Sequence, residues 1–337
     1  MSSPLKEILE WQQLLKTNGF LPIMLFWGGG LFVLYNQQGI YWESLLEQFK
    51  NLNGFNGTQI IIFSGVLLIS AFLIPNAFYE LIRSYFVQLL EGNWTFFPLN
   101  FFKKLMITNL NFKLEQKRRK RDSLKENYNQ LSDFEEEELH KISRNLMYYP
   151  KEYHLLPTKF GNFMSSTEEY PKERYGLEFP DFNRREGITE IPSHLWSVLP
   201  EKIKSEVNDT KFVLLDRIRW IFWIFMFSFW TFWIWIKFAS ISPYPILISI
   251  IMSIFFYYVS LIPAALNYCN QVRVVYDLHR SELYRALNYP RPTNPNDEKI
   301  KGSHLSNYLN GGIYTDPSHS YQYYDTNEAN DEFYFSR

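Results

Sequence analysis

Four apolar stretches set the terms for this chain: residues 20–35, 60–78, 220–239 and 246–266. The last three run about 19 to 21 residues with almost no charge inside. A helix rises 1.5 Å per residue, so runs of that length match a hydrocarbon core of roughly 30 Å. The pattern predicts an all-α membrane protein with four transmembrane helices and a mostly helical cytoplasmic insert between the second and third. The expected segments are an N-terminal stretch (1–19), a first membrane hairpin with a stalk (20–92), the insert (93–212), a second hairpin with a stalk (213–289) and a polar, partly disordered tail (290–337).

Lysine and arginine placement sets the expected orientation. The loop after the first run holds only Lys50, and the connection between the third and fourth runs is bordered only by Lys237. Arg83, Lys103, Lys104, Lys211, Arg217 and Arg219 flank the insert, and Arg273, Arg280 and Arg285 follow the fourth run. Both termini and the insert are therefore expected in the cytoplasm. The first run contains Gly28, Gly29 and Gly30, which make a poor helix yet permit close helix approach. A full span and a re-entrant segment both fit it. The polar stretch before it, with Lys6, Glu7, Glu10 and Lys16, and the lack of a small-residue cleavage site argue against a cleavable signal peptide.

Aromatics are 19% of the chain. They fill the third run rather than clustering at its ends, as Trp220, Phe222, Trp223, Phe225 and Phe227 illustrate. This reads as bulky helix packing and lipid contact, with a chromophore or sterol site as the sharper alternative. A net charge of −1 implies no general attraction to nucleic acid. One cysteine, Cys269, excludes an internal disulfide and a multi-cysteine metal site. It reads as a packing residue, with palmitoylation as the rival.

The second and fourth runs keep helical spacing beyond the expected bilayer. Phe78, Leu81, Ile82, Tyr85, Phe86, Leu89 and Leu90 continue the second until Gly92 and Pro98 stop it. Val272, Val275, Tyr276, His279 and Leu283 mark one face of the fourth until Pro290. Arg273 and Asp277, and Asp277 and Arg280, have the spacing of exposed helical ion pairs.

Within the insert, residues 99–147 read as a helical hairpin. Its first arm carries the run Lys117, Arg118, Arg119, Lys120 and Arg121; the second is acidic from Asp133 through Glu138. Ser132 and Glu135 have capping-box spacing. Pairing of the basic and acidic stretches across the hairpin and pairing between subunits both fit, and the basic run has three readings: a solvated helix face, an anionic-lipid contact, or a nucleic-acid patch, which lacks interleaved aromatics. Residues 150–200 are punctuated by proline and glycine, which predicts short elements, including a single turn from Ser166 to Pro171.

Three strings stand out in and after this segment. Residues 156–162 read LPTKFGN, residues 170–177 read YPKERYGL, and residues 277–280 read DLHR. With the Trp196 and Pro200 string before the third run, they resemble a set of uncharacterised bacterial multi-pass membrane proteins that share LPTxxGN, YPxxRYGL and DLHR-like strings. The resemblance spans roughly residues 20–310, with His194 and Ser197 where the relatives often have Arg and Pro. It implies the same architecture in a bacterial plasma membrane and carries no activity.

The six histidines form no His-x-x-x-His or His-Glu-x-x-His pair. No phosphate-binding glycine loop and no Gly-x-Ser-x-Gly elbow is present. The apolar runs hold no interior charge, which argues against a proton-coupled transporter. No metal or cofactor is expected. The best polar cluster is Thr158, Asn162, Glu168, Glu169, Arg174 and Tyr175, with Asp277, His279 and Arg280 on the expected stalk. A catalytic reading makes the glutamates acid and base with Arg174 as an anion clamp. The structural reading pairs Arg174 with a glutamate, and it is preferred. The expected function is a membrane-anchored, homo-oligomeric sensor or assembly module with a cytoplasmic protein partner; an oligomeric channel and a membrane-bound enzyme are the rivals. The final residues, 314–337, read as disordered.

Overall fold

A computed structural model of the chain describes residues 20–37, 57–128, 131–151, 154–179, 188–238 and 244–309. The expectations for the N-terminal stretch, the first loop and the last residues lie outside these. The described residues are mostly helical, with no strand. Helix α1 spans Phe20–Gln37, α2 Gly57–Glu91, α3 Leu99–Glu126, α4 Asp133–Leu146 and α5 Lys159–Tyr175. After a short α6, Ser193–Val198, come α7 (Glu201–Phe238), α8 (Tyr244–Phe256), a π-helical turn at Tyr257–Leu261, α9 (Ile262–Ala286) and α10 (Pro295–Leu309). The chain divides into two compact units: Met1–Val87 with Phe212–Ala264, and Gln88–Lys211 with Ala265–Arg337.

The first unit holds the apolar runs. Tyr79 and Phe86 pack their rings on Phe222 at 5.1 and 5.2 Å. Phe26 meets Trp223 at 5.0 Å, and Trp27 donates to the Ala71 carbonyl at 2.9 Å. Phe222 and Trp223 of α7 are therefore packing groups against α2 and α1. Gly29 of the triplet has a specific use. A Cβ at Gly29 would lie 2.9 Å from the Phe227 ring, whereas one at Gly28 would meet nothing. Charge appears where α2 and α7 leave their apolar stretches: Glu80 accepts from Arg83 at 2.7 Å and from Arg219 at 3.1 Å.

Among the described residues, one helix is long and apolar enough to cross a membrane: Ile246–Ala286, through α8, the π turn and α9. Only 17% of its apolar window is buried inside the protein, unlike the core helix of a soluble fold. Leu247, Ile251, Ile254, Tyr258 and Val259 point outward at helical spacing. The π turn precedes Pro263, which has no N–H to offer the preceding turn. Ile262 donates to the Tyr257 carbonyl across it.

The second unit is built around α5. The expected hairpin is present: α3 and α4 meet around Leu114 and Leu146, with Leu155 and Ile142 filling in. The Ser132 N–H donates to the Glu135 carboxylate at 2.9 Å, completing one half of the capping box. Helix α2 stops at Gly92, whose φ of 87° suits glycine.

The expectation of short elements over residues 150–200 is corrected. Helix α5 is 17 residues long, starts at Thr158 rather than Ser166, and runs through Pro171. Phe160, Met164, Ser165, Thr167 and Tyr175 are all buried, so the helix has core on several sides. That burial outweighs a missing hydrogen bond at Pro171. Its small polar residues bond to backbone: Thr167 and Ser166 donate to the Phe163 carbonyl at 2.9 and 3.1 Å.

Helix α10 begins at Pro295 behind an Asn294 carboxamide that accepts from the Asp297 N–H at 2.9 Å. Two glycines let α10 touch the end of α5. Gly176 caps α5 with φ 73°, and a Cβ on Gly302 would sit 2.0 Å from the Tyr175 carbonyl oxygen. Because that neighbour is backbone, Gly302→Ala should lower unfolding stability by about 2 kcal/mol or more. Ser303→Ala, one exposed position along, should leave it unchanged or slightly raised; thermal unfolding of the detergent-solubilised full chain distinguishes them.

Candidate functional site

The three sequence strings all lie in the second unit, and each locks one helix to another. In the first, the Thr158 hydroxyl accepts from the Gly161 N–H at 3.0 Å and donates to the Glu91 carbonyl at 2.7 Å. Gly161 leaves room for that carbonyl, since a Cβ would stand 2.1 Å from it. Asn162 is 1% exposed. Its amide accepts from the Leu156 N–H at 2.9 Å and donates to the Leu156 and Thr158 carbonyls at 2.7 and 2.8 Å. Thr158 thus pins the start of α5 to the end of α2, and Asn162 fixes the segment that leads into α5.

The second and third strings meet at the other end of α5. Asp277 accepts from the Tyr170 hydroxyl at 2.6 Å and from the Tyr175 hydroxyl. Arg174 donates to the Tyr170 hydroxyl at 2.7 Å. Arg280 lies 4.0 Å over the Tyr175 ring and donates to Glu298 of α10 at 2.6 Å. Four arginines and carboxylates from α5, α9 and α10 thus surround two tyrosines. Burial, followed by the bonds to Asp277, holds both tyrosine hydroxyls above their usual pKa.

Several expected pairings are corrected. Arg174 does not pair with a glutamate; tyrosine hydroxyl and ring faces are its partners. Arg273 and Asp277 do not form an exposed pair. Arg273 is 4% exposed and turns inward, donating to the Ser166 hydroxyl at 2.9 Å and the Met147 carbonyl at 3.3 Å. Its guanidinium lies 5.2 Å from both the Tyr148 and Tyr170 rings. Arg280 chooses Glu298 and the carbonyl of Asp277 over the Asp277 carboxylate. For Arg273 and Arg280 a bond between elements displaces the pairing that helical spacing alone suggests.

The structure therefore groups Arg174, Tyr175, Asp277 and Arg280. It leaves Thr158 and Asn162 about 25 and 20 Å of helix away from Tyr175. Glu168 accepts from Thr189 at 3.1 Å, and His279 pairs with Glu282 at 3.0 Å. The Glu169 carboxylate contacts His154 and accepts from the Lys151 N–H at 2.9 Å. Among the described residues, no cluster of histidine, cysteine and acidic groups fits a metal ion. Sequence reasoning missed Glu298, Arg273 in its buried role, and Gly302. Tyr170 carried a signal, standing four residues before Arg174 on one helical face.

The basic run splits by face. Lys120 pairs with Glu138 across the hairpin, and Lys117 donates to Asn145 at 2.8 Å. Arg119 reaches Glu115 at 3.7 Å and stays exposed. Arg118 and Arg121 turn the other way, onto an open groove of about 570 Å³. A second groove, about 530 Å³, lies beside His154 and Glu168.

Compared with protein-family models, curated proteins and solved structures, the chain matches none.

The raised tyrosine pKa values carry a stability consequence. A phenol held neutral in the folded state contributes fully below its ordinary pKa of 10.0, and the contribution is lost as pH rises through the elevated folded value. Alkaline titration of the folded chain should show a stability loss beginning above about pH 10. Tyr175→Phe should flatten part of that slope while lowering stability at neutral pH, where Asp277 loses a donor; chemical unfolding at pH 7 and at alkaline pH reads both.

Proposed function

We propose that this chain is a multi-pass membrane protein with four spans, its second unit in the cytoplasm, acting as a homo-oligomeric, non-enzymatic sensor or assembly module. One observation carries the reading. The helix able to cross a bilayer, Ile246–Ala286, also bears Arg273, Asp277 and Arg280, and each of these is bonded to α5 or α10, or to both the hairpin and α5. An apolar span and a polar clamp on one continuous helix suit a device that joins a membrane anchor to a folded module.

Other features support the membrane setting. Val66, Ile69, Leu73 and Leu81 of α2 are exposed, at spacing that gives an apolar stripe too extensive for a water-bathed monomer. Phe97 just before α3, and Phe101, Phe102 and Leu105 in its first turns, are exposed beside Lys103 and Lys104, a composition suited to headgroup depth. The orientation rests on the lysine and arginine asymmetry. The non-enzymatic reading rests on what the polar residues do: Thr158, Asn162, Tyr170, Tyr175 and Asp277 hold helices together.

Topology is tested with Ser123→Cys, an exposed position on α3, against a background in which Cys269 is buried. A membrane-impermeant maleimide should leave intact cells unlabelled and label the protein once the membrane is opened. Labelling of intact cells, or loss of the protein from carbonate-washed membranes, would overturn the reading. For the absence of catalysis, Glu168→Gln should restore a deletion strain as fully as the natural chain. Failure to do so at normal protein level would favour an enzyme.

A further inference from the structure

One feature of the second unit is not explained by the clamp. The open groove beside α3 and α5 is lined by six cations: Arg118, Arg121, Lys125, Lys151, Arg174 and Lys299. Two carboxylates share it, and both are engaged; a third, Asp122 on α3, pairs with Arg121 at 2.8 Å. Glu173 pairs with Lys151 at 3.0 Å, and Glu169 holds His154 and the Lys151 N–H. No carboxylate among the described residues pairs with Lys125, Lys299 or Arg174. Arg118, Arg121 and Lys125 are three and four residues apart, so one face of α3 presents all of them. The opposite side of the same run is neutralised by α4, as Lys120 and Glu138 show. A merely solvated basic helix would not sort its charges this way.

The floor adds a seventh positive group. Arg273 lies behind Ser166 and Met147, which it bonds and which line the groove. Its Nε and Nη1 are buried without a hydrogen-bond partner. A guanidinium screened from water projects its field farther than an exposed one. Like charges gathered to this degree repel each other unless an anion occupies the space between them.

We propose that this groove binds a ligand bearing a phosphomonoester or pyrophosphate group, held by Arg118, Arg121, Lys125, Arg174 and Lys299. The arginine forks fit phosphate oxygens in pairs, and the lysines add point charge. The excess of cations exceeds what one carboxylate would balance. The volume suits a small molecule or a lipid headgroup. A nucleic-acid track fits poorly, because only two rings line the groove, Tyr149 and Tyr170, and the second is already covered by Arg174 and Arg273. This deepens the sensor reading and rests on it, supplying the chemical class of the signal.

The test uses the full chain in non-ionic detergent, titrated with inorganic pyrophosphate and, separately, with soluble dihexanoyl phosphatidic acid, binding being read by calorimetry. The charge-matched variants are Lys125→Gln with Lys299→Gln in the groove, and Lys113→Gln with Lys202→Gln on exposed surface elsewhere. The groove pair should weaken binding by about tenfold or more, and the surface pair should leave it nearly unchanged. Binding of pyrophosphate assigns a soluble phosphate, and binding of phosphatidic acid alone assigns a lipid headgroup; either supports the site. Silence of both probes at millimolar concentration, or equal weakening by both variant pairs, overturns it. Such a result would leave the maleimide topology untouched, so the two readings fail separately.

Discussion

A carboxylate that receives two phenol hydroxyls is the point on which the second unit turns. Asp277 projects from α9 toward α5, where Tyr170 and Tyr175 are separated by more than one helical turn. Two charge-assisted bonds from one helix fix both its distance and its rotation against the other. Arg280 then carries the same centre to α10 by stacking on Tyr175 and bonding Glu298. Gly176 and Gly302 allow the backbones to meet there, with no room for a side chain. Remove the carboxylate and the tyrosines face a buried interface without an acceptor, a costlier loss than the bonds alone.

The same constraint explains a reversal along one helix. Through residues 247–259 the apolar side chains of α8 and the π turn point outward. From Ala265 onward, Tyr268, Val272, Tyr276 and Leu283 point inward, and the exposed face mixes Asn267, Ser281 and Arg285 with Val274 and Leu278. The apolar face is solvated by one medium in the first stretch and by protein in the second. Pro263 and the π turn stand where the pattern changes, and a π turn adds a residue to the local turn and so shifts the register of the face that follows.

Much of this was legible in the residues. The hairpin, its capping box and the stop at Gly92 follow from spacing and from single-residue backbone preferences. Helix α5 was not, because helical periodicity is a signal of one buried face. A helix buried around most of its surface shows no period, and Ser165, Ser166, Thr167 and Pro171 all speak against a helix when read locally. The ion pairs failed for a related reason. Spacing along a helix lists which charges are neighbours, but Arg273 and Asp277 each found a stronger partner on another element. The strings were recognisable as special without revealing why: Gly161 and Gly302 acquire meaning only from the carbonyl each one faces.

Tyr170 belongs to both the clamp and the groove, and this shared residue links the fold to the proposed ligand. Its hydroxyl accepts from Arg174 while donating to Asp277, so the arginine polarises the bond that holds α9. An anion that draws Arg174 into the groove removes that polarisation without breaking the Asp277 contact. The expected coupling is of the order of one hydrogen bond, about 1 to 3 kcal/mol, which is the usual scale of allosteric linkage. By reciprocity, the position of α9 biases anion affinity by the same factor. On the proposed reading, one phenol hydroxyl claimed from two sides links α9 to the groove.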